Sequence, residues 1–336
     1  MSDPQSPATE MIICDEIPFN DDCADIIVRS RPDGVDFRVH KAFLAVASPV
    51  FKAMFVLPQG ELESQQDSIG IHMRDGLHII PFDEDKHTLG ALLKLCYPAW
   101  MVVDCEPFFP TVERTLAVLT AARKYAMDGV ERQVRTELVA ARFIEPDPLR
   151  MFALAVKVGL YDEAKVCARH TLRMPVLGRP YIGELEEITG GEYHQLQDYH
   201  LRCGSVAHDL AMIQNVQWIT EEKWVWFECC RGNSLAAISG DRRKWVAKWW
   251  ADFMLEASSA LKERPSGETV GIDTEIVHAA IAKASAACTT CRSRVLRDMR
   301  GFCGLFSAEV ERATEAVSCV LFLKGCLVLT FNQRSK

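Results

Sequence analysis

Two cysteines two residues apart, Cys288-Thr289-Thr290-Cys291, offer a pair of thiolates able to grip one soft metal ion. A structural zinc site takes four ligands, so two further sulfur or imidazole donors are required. Cys229 and Cys230 are the first suppliers, with His278 and Cys303 in reserve. Two features oppose this reading. Adjacent cysteines point their side chains differently, and an ordinary second knuckle would also be spaced by two residues. Cysteines on a helical pattern also serve as small apolar core residues. A redox role for the pair needs a strand–helix thioredoxin setting, which this stretch lacks. His200 and Cys203 lie one helical turn apart and could pair as base and nucleophile. No glycine-rich oxyanion loop or orienting acid accompanies them, so they read as core and rim positions of a helix. Trp245, Trp249 and Trp250 beside Arg242, Arg243 and Lys244 have the types of a basic-aromatic nucleic-acid surface. Their spacing, continued by Phe253, Ala257 and Leu261, favours a core stripe with a solvated basic cap. Arg292, Arg294, Arg297 and Arg300 are interrupted by Asp298 and read as solvated surface. No Walker loop, dinucleotide fingerprint, nucleophile elbow or HExxH occurs, so nothing recommends an enzyme.

Bulk properties narrow the classes further. The chain has 336 residues, room for about two domains. With 49% hydrophobic and 25% charged residues, it has the makings of ordinary buried cores. A formal charge of −8 disfavours nucleic acid or an anionic membrane as the partner. The 13 cysteines are odd in number, and the first residues carry no basic-then-apolar secretory pattern. A reducing compartment, cytoplasmic or nuclear, is the expectation. The apolar stretch Ala316 to Phe331 is short for a membrane span and holds Lys324 in its middle, so no membrane is expected.

Elements follow from periodicity and punctuation. Residues 1–20 are polar and read as a flexible arm. Asp25-Ile26-Ile27-Val28 opens a strand bounded by the turn signal Pro32-Asp33-Gly34, and Phe37-Arg38-Val39-His40 is the returning strand. Helices are expected over 41–47 and from Ser48-Pro49, where Ser caps and Pro starts. The stretch from 57 to 76 reads as an insertion loop. A short strand at 77–80 and helices at 86–97 and 112–127 complete the first part. After Pro146 strand signals vanish. Asp147-Pro148 starts a helix that Gly159 ends, 161–172 closes a helical hairpin, and Thr189-Gly190-Gly191 reads as a turn. Val295, Met299, Phe302, Phe306, Val310, Ala313 and Val317 give one of the cleanest helical stripes.

The segment FRVHKAFLAVASPVFKAMF, Phe37 to Phe55, resembles the BTB/POZ signature, in which a strand leads through an aromatic residue and His-Lys/Arg into a helical hairpin. Cys23 to Val28 is similar to that family's opening strand. Asp75 to Pro98 resembles the form found in BTB proteins of mushroom-forming fungi. The resemblance implies a compact α/β module that dimerises or docks partners. It also implies interface roles for Asp25, His40 and Lys41, with Asp25 and Lys41 forming a carboxylate–ammonium pair in a charged groove. Two departures are visible. Residues 1–20 lack the amphipathic helix that precedes the first strand in many dimeric members. Cys96-Tyr97-Pro98-Ala99-Trp100 stands where cullin-recruiting members carry Tyr-Thr-Gly, which leaves a cullin-type ligase undecided as a partner.

The expected fold is α+β: a BTB/POZ-like α/β domain at 21–145, then an all-helical C-terminal region in two parts, 146–215 and 216–318, and an apolar tail at 319–336. The expected function is that of a protein–protein interaction or adaptor protein, with other proteins or itself as partner. The alternative is a zinc-stabilised regulatory protein with a nucleic-acid-contacting C-terminal region. Zinc, on Cys229, Cys230, Cys288 and Cys291, is the sole cofactor candidate.

Overall fold

Strand β2 (Ile26–Ser30) begins with three apolar β-branched residues in succession, the pattern of a strand covered on both faces. In the computed structural model Ile26, Ile27 and Val28 are all buried. The structure describes residues 12–14, 16–56, 73–102, 109–219, 223–230, 234–239 and 242–319. The chain divides into two compact units, residues 1–143 and 144–336.

In the first unit β2 is the middle of a five-stranded sheet ordered β1-β3-β2-β5-β4. Its other members are β1 (Ile12–Ile13), β3 (Val35–Val39), β4 (Met73–Arg74) and β5 (Leu77–Phe82). The β2–β3 hairpin is antiparallel, from Ile26 opposite Val39 to Ser30 opposite Val35. Gly34, at φ +66°, supplies the left-handed residue its turn needs. β5 joins the other side of β2 in parallel, Ile27 opposite Ile79. β1 pairs with β3, so part of the stretch read as a flexible arm is a strand. Residues 57–72, most of the expected insertion loop, lie outside the described residues, as do 320–336 of the apolar tail.

Helices α1 (Lys41–Ala47) and α2 (Pro49–Val56) meet at Ser48. Its hydroxyl accepts from the Phe51 N–H at 3.1 Å and donates to the Tyr125 carbonyl at 2.6 Å. α3 (Lys86–Lys94) is capped by Asp85 and α4 (Val112–Lys124) by Thr111. α5 (Asp128–Leu138) and a single turn, α6 (Ala141–Ile144), follow. The Tyr125 ring packs on Phe51 and Phe82, and its hydroxyl donates to Glu84 at 2.8 Å.

The charged centre of the sheet is Asp36, only 1% exposed. Arg29, its cross-strand neighbour, grips it with two hydrogen bonds of 2.5 and 2.8 Å, and Arg74 adds one of 2.8 Å. Burial works to raise the Asp36 pKa, but the two guanidinium groups outweigh it and hold the carboxyl below its ordinary value.

The second unit is helical: α7 (Pro148–Lys157), α8 (Tyr161–His170), α9 (Gly190–Ala211), α10 (Val225–Glu228), α11 (Lys248–Glu263), α12 (Glu275–Ala287) and α13 (Thr289–Glu315). Among the described residues the expected all-helical pattern is broken by β6 (Ser234–Ser239) and β7 (Arg242–Ala247), which form an antiparallel hairpin. Trp245 therefore lies in a strand and does not join the helical stripe that starts at Trp249. The expected turn at Thr189-Gly190-Gly191 is the start of α9. Thr189 and Glu192 form a reciprocal capping box there, which offsets the low helix propensity of the two glycines. The core gathers Trp226, Trp250, Phe253, Phe302 and Phe306, with Trp226 stacked on Trp250 at 5.6 Å and edge-on to Phe302 at 5.1 Å. α9 and α11 cross where Gly204 has no side chain; a Cβ there would stand 2.5 Å from the Lys262 carbonyl oxygen.

Asp36→Ala strands two arginines beside the sheet and should destabilise the protein by about 3 kcal/mol at neutral pH. Because the folded carboxyl titrates below the unfolded one, its contribution is complete above roughly pH 4 and is lost as pH falls through the lower folded value. Denaturant unfolding should therefore show a gap between wild type and variant that is steady at neutral pH and narrows on acidification.

Candidate functional site

Two places bring together side chains with chemistry to offer, one in each unit. In the first unit, Lys41 is the first residue of α1, so its backbone N–H has no intrahelical acceptor. The Asp25 carboxylate accepts from that N–H at 2.7 Å. The two residues expected to meet as carboxylate and ammonium thus meet as carboxylate and main chain, while the Lys41 ammonium lies 6.0 Å from the Phe55 ring centroid. The physical reason is local: an unsatisfied amide at a helix start is a nearer donor than a flexible ammonium. His40 is part-buried. Its Nε2 lies 2.9 Å from Asp21 Oδ2, its backbone N–H donates to the Tyr97 hydroxyl at 3.0 Å, and its ring meets Phe43 edge-on. The Asp21 carboxyl is held below its ordinary value, first by the Cys23 N–H and then by His40.

Around these residues the α1–α2 hairpin leaves apolar side chains in water. Val46 is 90% exposed, and Val50 and Val56 are exposed beside Lys52. Trp100, after α3, is 80% exposed. A cleft of about 390 Å³ opens between β3, α3 and α4, walled by Phe37, Lys86, His87, Lys94 and Arg114, with Glu16 at its edge. Sequence reasoning placed Val50 in an apolar pair of α2 and Trp100 in the segment after α3 without reading either as exposed, and it did not single out Val46 or Val56.

Residues 17–141 match the family model for the BTB/POZ domain. This segment is a BTB/POZ domain, a module that mediates contact between proteins and is not typically catalytic. A search of curated proteins finds no match to the chain.

In the second unit the sulfurs of Cys229, Cys230, Cys288 and Cys291 lie within 4.8 Å of one another. Cys229 and Cys230 follow α10, and Cys230 takes a left-handed backbone conformation at φ +57°. That reversal lets neighbouring residues deliver sulfurs to one point, and it answers the objection that adjacent cysteines diverge. Cys288 is the N-cap of α13, where its sulfur accepts from the Cys291 N–H at 3.3 Å. That bond and the Cys229 thiol lower the Cys288 pKa to about 6. Burial pushes Cys230 up to about 11, and Cys291 upward as well. His278 is exposed on α12, and Cys303 is buried in the core with its thiol raised to about 12 by burial; neither joins the cluster.

The segment carrying Cys229 and Cys230 is pinned to α13 one to two turns beyond Cys291. Asp298, buried in α13, accepts from the Val225 N–H at 3.0 Å. Arg294 pairs with Glu228 and donates to the Lys223 carbonyl at 2.6 Å. Arg297 bonds Asp298 as well. The arginine series read as solvated surface thus includes a clamp, and Asp298 is its anchor. The signal was the acid itself, which falls four residues C-terminal to Arg294.

The other candidates come apart. His200 gives its Nε2 to the Met174 carbonyl at 2.9 Å, and Cys203 is buried with its thiol raised to about 11. A buried neutral thiol is a poor nucleophile. Trp249 and Trp250 are buried, which removes two of the three aromatic residues considered for a nucleic-acid surface.

Asp298→Ala removes the acceptor for a buried amide and unpairs two arginines, and should destabilise the protein by about 2–3 kcal/mol. Arg300→Ala, at an exposed position of the same helix, should change stability by less than about 0.5 kcal/mol. Parallel denaturant melts of the two variants check the contrast.

Proposed function

We propose that this chain is an interaction or adaptor protein. Its BTB/POZ domain docks another protein, or a second copy of itself, through the α1–α2 hairpin and the residues at its entrance, Asp25, His40 and Lys41. The observation that carries the reading is the exposure of Val46, Val50 and Val56 on the helical hairpin of a domain whose general role is protein contact. Apolar side chains left in water are the usual raw material of an interface core, and the flanking Lys41 and Lys52 suit its polar rim. Dimerisation through a helix preceding the first strand is not part of the proposal: Ile12–Ile13 is a strand, and residues 1–11 and 15 lie outside the described residues.

A cytoplasmic or nuclear setting fits a chain whose described cysteines form no disulfide. No helix among the described residues is long and apolar enough to cross a membrane, and none is needed for this role. A cullin-type ligase is one partner that capture would reveal. Tyr97 is engaged internally by the His40 N–H and the Phe43 ring, so such a partner would have to rely on other residues of that segment.

The test compares the full chain with a Val46→Asp, Val56→Asp double variant by light scattering and affinity capture from extract. The variant should lose self-association or captured partners at least about tenfold, with its thermal midpoint unchanged because both positions face solvent. A wild-type chain that is strictly monomeric and captures no partner, or a variant that associates as wild type does, contradicts the proposal.

A further inference from the structure

We infer that Cys229, Cys230, Cys288 and Cys291 are the four ligands of a structural zinc ion in the helical unit. The distances between the sulfurs carry it. Cys229 lies 3.7 Å from Cys230 and 3.1 Å from Cys288, and Cys230 lies 3.7 Å from Cys288 and 3.6 Å from Cys291. Four sulfurs at about 2.3 Å from a central zinc stand roughly 3.8 Å apart along the edges of a tetrahedron. Disulfide bonding would need sulfurs at about 2.05 Å. Four of the six separations run from 3.1 to 3.7 Å, none exceeds 4.8 Å, and none is a covalent bond, which places the four sulfurs around one ion-sized centre. A cluster of several irons would hold its sulfurs farther apart.

The chemistry of the donors agrees. Thiolate sulfur is soft and selects zinc over calcium or magnesium, which take oxygen. Four protein ligands close the tetrahedron and leave no position for water or substrate, the mark of a structural site. Each thiol that still holds its proton releases it to solvent on binding, so the centre is zinc with four thiolates and a net charge of −2. Cys288 caps the 27-residue α13, whose first turn donates the Cys291 N–H to its sulfur at 3.3 Å, and the positive end of a helix favours such an anion.

The surroundings are built for it. A non-glycine residue at φ +57° is strained, and Cys230 accepts that strain at the place where it brings a second sulfur to the cluster. Asp298 and Arg294 hold the Cys229–Cys230 segment against α13 independently of any metal. The ligands flank the hairpin β6–β7 and helices α11 and α12, so the ion closes a loop of nearly sixty residues. A cross-link over so long a loop removes much unfolded-state freedom.

The experiment is elemental analysis of the purified full chain, with cobalt substitution in parallel. One zinc per chain is expected in the wild type and in Cys167→Ser, whose thiol lies elsewhere in the core. Zinc should fall to background in a Cys288→Ser, Cys291→Ser double variant, and chelator should lower the thermal midpoint of the wild type. Should the double variant fail to fold, the wild type still decides. Cobalt should give the intense visible bands and near-ultraviolet charge transfer of a tetrahedral four-thiolate site. Substoichiometric zinc, iron in its place, zinc retained by the folded double variant, or a cobalt spectrum with fewer thiolates overturns the inference.

Discussion

The first unit depends on a strand that water reaches from neither side. Ile26, Ile27 and Val28 fill both faces of β2, and its two edges are taken by β3 and β5. With β2 paired along both edges, its neighbours have little freedom of register, because a slip of one residue would turn Asp36 and Phe37 to each other's places. The hairpin that follows β3 is therefore launched from a fixed point. Asp25, just ahead of β2, completes the arrangement by holding the first amide of α1. The exposed valines of that hairpin are presented by a rigid base, and a recognition surface on such a base loses little freedom when it binds.

The second unit solves a different problem. Its core is aromatic and large, but the segment at 223–230 is short and makes only one turn of helix. Such a segment has little propensity of its own to stay ordered. Asp298 and Arg294 tie it to α13 by its main chain, and Trp226 anchors it by stacking on Trp250 and meeting Phe302 edge-on, with Trp224 stacked on Trp226. The four cysteines sit at the far end of this same attachment. Polar clamp, aromatic packing and sulfur cluster succeed one another along a few residues, which is why adjacent cysteines can serve one site here.

Much of this was legible in the sequence. The β2–β3 pairing, the bounds of α1, the Ser48-Pro49 restart and the Asp147 cap follow from apolar runs and cap chemistry, which act over a few residues. The BTB/POZ reading of the N-terminal segment and the helical character of the remainder stand with them. Less was visible where long-range contacts override local signals. Gly190 and Gly191 looked like a turn, yet the capping box and the burial of Leu196, Tyr199 and Cys203 carry a helix through them. Asp298 looked like a solvent-facing break among arginines, because its partner amide lies 73 residues away in sequence. The Asp36 triad was missed for the same reason: Arg74 reaches it from a separate strand.

The central claim is that the α1–α2 face of the BTB/POZ domain is a contact surface for other polypeptides. Lysine-directed cross-linking of the full chain in extract, read by mass spectrometry, tests it most directly, since Lys41 and Lys52 flank that face. The account predicts links from both lysines to a second copy of the chain or to another protein. Lys41 and Lys52 modified only as single adducts or linked only within one chain would contradict it.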